Sequence, residues 1–370
     1  MELLVRYSEI HKKKGKTRTR LLQTVRQRIQ DRLEYENFNY GKVSTRPGRI
    51  IISNISEELA ETVAEIPGVK SCSPAKKVET DEESIKQSLP DVEESFGVRV
   101  NTTDTDFSSQ ELESKFGSYI QNHTGSEVDL ENPETWVRIE IRPENSFIFT
   151  DVFEGPGGLP VASQGKYVAL ISGGIDSPVA AYEIMRRGGD FIPLYFYNRP
   201  YAAEDHLIRF KSVLTDLKKF HPSRKWRYGV VDMKEINSKL DELGKGKMVI
   251  HRLLMFQVAE KIRSQKNLQE IITGESIGQK SSQTPHNLLI SSQQFPVFRP
   301  LLTEDKNDIR EEAEEIGTFQ YSKIDSACAN MAPDSPSTRL SAEKVESLKE
   351  KIDFGDLIEK AWKNLEFEEF

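Results

Sequence analysis

Tyr167 to Ile171 is a short apolar run, and it passes through Ser172-Gly173-Gly174-Ile175-Asp176-Ser177 into a stretch with Ala180, Ala181, Ile184 and Met185 at helical spacing. A buried strand that enters a helix through paired glycines leaves few options for the fold around it. A helix start presents N–H groups without intrahelical partners and a partial positive charge, so anions bind there. Gly173 and Gly174 let the backbone turn and approach phosphate oxygens with no side chain in the way. Ser172 and Ser177 add hydroxyl donors. Asp176 carries the wrong sign to bind phosphate directly and is suited instead to holding Mg²⁺.

The same strand–helix alternation continues downstream. Strands are expected at Phe191–Tyr197, Trp226–Val231 and Glu270–Thr273, and helices at Ser177–Arg187, Asp205–Lys219 and Lys247–Ser264. Strands separated by helices imply parallel pairing and a doubly wound α/β domain. Upstream the rhythm differs. A strand over residues 2–8, a basic helix from Thr19 to Glu34, a strand at Arg49–Ile52, a helix from Ser56 to Glu65 capped by Ser56, and extended chain from Gly68 suggest a ferredoxin-like β-α-β-β-α-β unit. A boundary strand merging into an acidic helix is expected over Lys76–Glu94. It is followed by a strand at Val98–Asn101, a helix at Ser108–Gln121 and a hairpin of Trp136–Ile141 with Phe147–Phe153. Gly155-Pro156-Gly157-Gly158-Leu159-Pro160 breaks every regular pattern and reads as a linker. The chain is thus read as an α/β multidomain protein with domains at 1–75, 76–164 and 165–370.

Charge separates along the chain. Residues 1–50 hold 13 Lys and Arg against 5 Asp and Glu, although the whole protein carries −8. A basic segment on an acidic protein is a natural docking surface for a polyanion, because each neutralised phosphate releases condensed counterions. Lys12, Lys13, Lys14, Lys16, Arg18 and Arg20 are the candidate contacts with such a polyanion. No apolar stretch approaches the ~20 residues of a membrane span, and no apolar core of a signal peptide follows Met1. Two cysteines, Cys72 and Cys328, are too few for a disulfide framework. A cytoplasmic protein is expected.

The phosphate loop resembles the PP-loop of ATP pyrophosphatases, which cleave ATP between its α- and β-phosphates and leave an adenylated substrate. Several of those enzymes act on other substrates, so the flanking residues decide. Gly157-Gly158-Leu159-Pro160-Val161, Gly165-Lys166, Pro178-Val179-Ala180, Thr273-Gly274-Glu275-Ser276-Ile277-Gly278-Gln279, Ser282-Gln283-Thr284 and Arg299-Pro300-Leu301 closely resemble tRNA 4-thiouridine synthetases, as do Asp305-Lys306, Arg6-Tyr7-Ser8-Glu9-Ile10 and Arg46-Pro47-Gly48-Arg49. The resemblance runs over nearly all 370 residues. It implies a ferredoxin-like N-terminal domain, an α/β THUMP RNA-binding domain and a doubly wound, parallel-sheet PP-loop domain.

It also implies a chemistry: O4 of the uridine at position eight of tRNA attacks the α-phosphorus of ATP, and sulfur then displaces AMP. Carried over residue by residue, Leu170, Ile171, Ser172, Gly173, Gly174, Ser177, Tyr195, Phe196, Arg252, Gly274 and Gln283 would contact ATP. Asp176 would organise Mg²⁺, and Lys306 would neutralise developing phosphate charge. Cys328 would receive a persulfide from a cysteine desulfurase. The family's homodimeric habit is implied as well. Some relatives continue into a rhodanese-like domain whose cysteine carries the sulfur; the resemblance here ends at Phe370 without one. Sulfur transfer is therefore expected to rest on Cys328 or on a donor acting directly, and a second role in thiazole synthesis is not expected. Two rival readings are an amidating ligase built on the same loop and a non-catalytic tRNA binder.

Overall fold

The computed structural model describes residues 1–103, 105, 107–222, 225–292, 294–323 and 330–370. Two compact units, Met1–Leu159 and Pro160–Phe370, make up the chain.

The first unit is built on an eight-stranded sheet among the described residues. Its ferredoxin-like part runs β1 (Glu2–Tyr7), α1 (Gly15–Tyr35), β2 (Val43–Arg46), β3 (Arg49–Ser53), α2 (Leu59–Ala64) and β4 (Val69–Val78). The four strands lie in the order β2-β3-β1-β4, with β1 antiparallel to both neighbours (Leu3↔Ile52, Leu4↔Ser73). Period-two burial puts Leu3, Val5, Ile50 and Ile52 against Leu21, Val25 and Ile29 of α1, while Leu4 and Ile51 point the other way. Two expectations need correction here. The basic helix begins at Gly15 rather than Thr19, which places Lys16 and Arg18 on it. Ser56 does not cap α2, because a tighter turn, with Ala60 N donating to Glu57 O, intervenes before the helix starts at Leu59.

β4 runs through residue 75 and serves both parts of the unit. It pairs with β1 as far as Ala75 and with β7 (Ser146–Phe149) from Lys76 to Val78. Between them lie α3 (Glu82–Lys86), β5 (Phe96–Thr102), α4 (Ser109–Thr124) and β6 (Thr135–Ile141). The acidic helix expected over Lys76–Glu94 is therefore only one short turn, started by the Asp81 carboxylate accepting from Ser84 N. β6 and β7 form the expected antiparallel hairpin, and β5 pairs with β6 in parallel (Val98↔Val137). β8 (Phe153–Glu154) adds to β4. Cys72 is buried in this unit with its thiol donating to Ala60 O. Burial pushes its pKa up to about 12, which leaves it protonated and unreactive.

In the second unit β9 (Lys166–Leu170), β10 (Asp190–Tyr197) and β11 (Arg227–Asp232) are parallel neighbours, and β12 (Ile271–Ile272) and β13 (Val297–Phe298) extend the sheet on the other side of β9. The order is β13-β12-β9-β10-β11-β14. The last strand, β14 (Leu365–Glu369), pairs antiparallel with β11 and has no counterpart in the expected pattern. Side chains alternate across the sheet. Val168, Leu170, Leu194 and Phe196 join a core with α8 (Lys247–Gln265), whereas Ala169, Ile171, Phe191 and Tyr195 join one with α5 (Asp176–Arg186), α6 (Glu204–Lys218) and α10 (Lys306–Glu315). The helix α7 (Lys234–Leu240) precedes α8, and α9 (Pro285–Ser292) lies between α8 and α10. Helices on both faces of the parallel strands give the doubly wound arrangement.

Candidate functional site

In a doubly wound sheet, ligands bind beyond the carboxyl ends of the strands where the direction of winding reverses. Here the chain winds from β9 towards β10 and β11 on one side and places β12 on the other, so the crevice lies beyond Leu170 and Ile272. A cavity opens there, lined by Leu170, Ile171, Ser172, Gly173, Gly174, Asp176, Ser177, Tyr195, Phe196, Arg252, Gly274 and Gln283. All eleven residues expected to meet ATP, and Asp176, therefore share one cavity wall although they span 114 positions of sequence, from 170 to 283. The side chains of Leu170, Ile171, Tyr195 and Phe196 are buried in the two cores, so what these strand ends offer the cavity is mainly backbone.

The loop holds itself in shape. Ser177 Oγ accepts from Ser172 N at 2.8 Å and lies 3.1 Å from Ser172 Oγ, which in turn accepts from Gly174 N at 3.2 Å. No side chain caps α5. Its first N–H groups thus stay available to an anion. Two glycines are closely approached, Gly173 by a side chain and Gly274 by backbone. A Cβ on Gly173 would stand 2.5–2.6 Å from Nε, Cδ and Cγ of Arg209, and one on Gly274 would stand 2.6 Å from the backbone of both Asp176 and Ser177. The chain after β12 is therefore pressed directly onto the phosphate loop.

Asp176 Oδ1 receives Lys306 Nζ at 2.5 Å and Gln279 Nε2 at 3.1 Å. Lys306 is the first residue of α10, 130 positions further along the chain. The structure thus pairs an acid and a lysine to which the sequence assigns separate roles. Arg252 lines the cavity but points its charge at Glu275: Nε lies 2.6 Å from Oε1, and Nη2 donates to Ser282 Oγ at 3.0 Å. Glu275 Oε2 also receives Arg299 Nε at 2.7 Å and Thr273 Oγ1 at 3.2 Å. This carboxylate is buried between two arginines, joining α8 to the segments after β12 and β13. Removing one member of a buried ion cluster leaves uncompensated charge. Glu275→Ala should therefore destabilise the second unit by about 3–5 kcal/mol, read from denaturant unfolding.

Sequence reasoning missed Glu275, Arg209, His251, Asn198, Lys280 and Gln279. Glu275 and Gln279 lie inside a segment already quoted for its resemblance; Arg209 and His251 sit on helices with no local signal. His251 Nε2 donates to Asn198 Oδ1 at 2.9 Å, and both residues line the cavity. Burial first, then the charges of Lys247 and Arg252, push the imidazole pKa down to about 3. An unfolded chain protonates this ring near 6.5, so the folded state excludes the proton. That contribution to stability is complete above about pH 6.5 and is lost as pH falls towards 3. Stability measured between pH 7 and pH 4 should fall more steeply for the native chain than for His251→Gln.

Lys12, Lys13, Lys14, Lys16 and Arg20 are exposed and Arg18 is half-buried at the start of α1. The first turn of that helix contains no acid. Basic side chains at the positive end of a helix dipole repel it, a cost that a bound polyanion would relieve. Cys328 lies outside the described residues.

A phosphate loop at the switch point of a doubly wound sheet, an acid opening the next helix and a lysine paired with that acid define a nucleotide-binding domain of the PP-loop class. Comparison with known proteins narrows this further. The chain belongs to the thiamine biosynthesis protein (ThiI) family, which residues 162–354 match, while residues 79–151 match the THUMP domain and residues 2–73 the ThiI ferredoxin-like domain. A probable tRNA sulfurtransferase of Thermococcus kodakarensis is 34% identical over 343 residues, covering 87% of this chain and 89% of that protein. Another, from Lysinibacillus sphaericus, is 32% identical and covers 99% of this chain and 94% of its own. A crystal structure of a 4-thiouridine synthetase–RNA complex with bound ATP superposes with a TM-score of 0.87 at 32% identity, covering 100% of this chain and 99% of that one.

Proposed function

We propose that this chain is an ATP-dependent tRNA sulfurtransferase that converts the uridine at position eight of tRNA to 4-thiouridine. The observation that carries the reading is the single cavity at the switch point, where the Ser172–Ser177 loop, the Asp176–Lys306 pair and the strand ends at Leu170 and Tyr195 meet. It is supported by full-length likeness to a 4-thiouridine synthetase.

The β- and γ-phosphates would lie on the loop amides and the start of α5, with the adenosine against the strand ends, Arg252 and Gln283. Uridine O4 attacks the α-phosphorus while the bond to the β-phosphate breaks, and the N3 proton leaves. Lys306 is placed to move from Asp176 to the pyrophosphate as its charge develops. Asp176 Oδ2 receives no hydrogen bond among the described residues, and a free carboxylate oxygen beside the loop suits Mg²⁺, which would neutralise phosphate charge. Sulfur then forms its bond to C4 as the C4–O bond to AMP breaks. Adenylation matters because AMP leaves readily and the original carbonyl oxygen does not. With a persulfide on Cys328, supplied by a cysteine desulfurase, the attacking sulfur stays joined to the protein until a thiol reduces that disulfide. The basic start of α1 would follow the tRNA backbone, recognised through its A-form shape. A homodimer acting in the cytoplasm completes the proposal, together with domain limits at 1–75, 76–164 and 165–370. Among the described residues no helix is long and apolar enough to cross a membrane.

The test is ATP–pyrophosphate exchange with and without unmodified tRNA, followed by mass spectrometry of the tRNA after incubation with ATP, Mg²⁺ and a sulfur donor. Exchange that depends on tRNA, with an oxygen-to-sulfur mass gain, is expected. Exchange that ignores tRNA would point to the amidating ligase, and no exchange under any condition to a binding protein. Normal thiolation by Cys328→Ser with a desulfurase as donor would remove that cysteine from the sulfur path.

A further inference from the structure

Arg209 stands in the first half of α6 and lines the cavity together with Ser172, Gly173 and Gly174. Its place is fixed from behind. Phe210, Val213, Leu214 and Leu217 of the same helix are buried in the core that holds Phe191 and Tyr195, and the Phe210 ring stacks on Tyr195 with centroids 4.6 Å apart. Arg209 itself is only 5% exposed. Its Nε, Cδ and Cγ fill the space in which a side chain on Gly173 would begin. The arginine therefore runs alongside the loop backbone, and the glycine leaves room for it.

Burial lowers the guanidinium pKa, which Tyr195 and Asp205 only partly offset. The Asp205 side chain is 54% exposed and its carboxylate accepts from His206 Nδ1 at 2.8 Å, so water weakens its pull on the arginine. A lysine in this position could shed its proton; an arginine stays charged. Holding a charge away from water costs several kcal/mol unless an anion answers it, and the neighbouring loop is built to receive one.

We propose that Arg209 is a phosphate-contact residue that grips the β- and γ-phosphates of ATP beside Gly173 and so selects a triphosphate over a monophosphate. The inference rests on the ATP-binding reading above. A guanidinium offers N–H donors in a planar fork that matches two phosphate oxygens. The loop amides are neutral donors, and Lys306 has to leave Asp176 before it can serve. Arg209 supplies a cation that is in place beforehand. Charge builds on the β-phosphate as its bond to the α-phosphate breaks, so the same contact would steady the departing pyrophosphate.

The experiment measures ATP and AMP binding to the intact chain by calorimetry, for the native protein, Arg209→Met and Arg209→Lys. Arg209→Met should weaken ATP binding about 30-fold, the size of a lost charge-assisted hydrogen bond, and change AMP binding less than about twofold. Its melting temperature without nucleotide should match or exceed the native value, because an apolar chain of similar shape replaces a buried charge. Arg209→Lys keeps a charge but loses the fork. It should weaken ATP about fivefold with AMP unaffected, and it decides the matter if the methionine variant does not fold. Equal losses for ATP and AMP would overturn the proposal and make Arg209 a support for the loop. Unchanged ATP affinity in both variants would overturn it as well. Failure of the native chain to bind ATP would instead overturn the nucleotide reading, and this inference with it.

Discussion

Gly274→Ala is expected to reduce tRNA-stimulated ATP–pyrophosphate exchange about 100-fold while the protein stays folded. The reason is geometric. The added Cβ would stand 2.6 Å from Asp176 C and from Ser177 N, so one of the two backbone segments has to shift. A shift of about 1 Å in groups that orient a reacting phosphate is enough for a loss of that size. Overpacking of this kind costs about 1–3 kcal/mol, so in a unit of this length the melting temperature should fall by no more than about 10 °C. Gly117→Ala is the control: it lies inside α4, and its nearest neighbour to a new Cβ is Val98 Cγ2 at 3.9 Å. It should leave exchange unchanged. Near-native exchange by Gly274→Ala would mean that the loop does not have to hold its present position.

The second large effect is expected at the ion pair. Asp176→Asn keeps the volume and loses the charge, and exchange should drop at least about 100-fold, the size of loss seen when a single group stabilising transition-state charge is removed. Stability should barely move. Lys306 is 50% exposed and the Asp176 side chain 20% exposed, and pairs open to solvent contribute only about 0–1 kcal/mol. A contact with so little structural value is better explained by chemistry. Lys306→Met should also lose exchange, and the double variant should be little worse than the weaker single one, because residues acting as a unit are not additive. Losses that multiply in the double variant would show that the two act independently. A large fall in melting temperature for Asp176→Asn would make the pair structural.

Much of the fold was legible because its signals are local. Period-two and period-3.6 burial placed β1, β5, β6, β9, β10, β11, α4, α5, α6 and α8 within a few residues of their observed limits. What failed was equally physical. Ser56 carries the right side chain for a cap, but the turn at Glu57 moved the helix start beyond its reach. The two-residue strand β13 is too short to show a period, although β12 falls inside the strand expected at Glu270–Thr273, and β14 alternates across a solvent-exposed edge with charged residues, so it resembles ordinary surface chain.

For the site, the motif Ser172–Ser177 by itself determined that a glycine turn suited to an anion would open a helix, because backbone geometry and helix polarity are properties of a few consecutive residues. Resemblance then supplied the partners at Arg252, Gly274, Gln283 and Lys306. Only the tertiary structure decided how they meet: that Gly274 touches the loop backbone, that Lys306 and Gln279 share one oxygen of Asp176, and that Arg252 spends its charge on Glu275. Those contacts depend on the order of strands in the sheet and on the reversal beside β9. Asp176 meets Gln279 and Lys306 across 103 and 130 positions of chain, separations that no local period records.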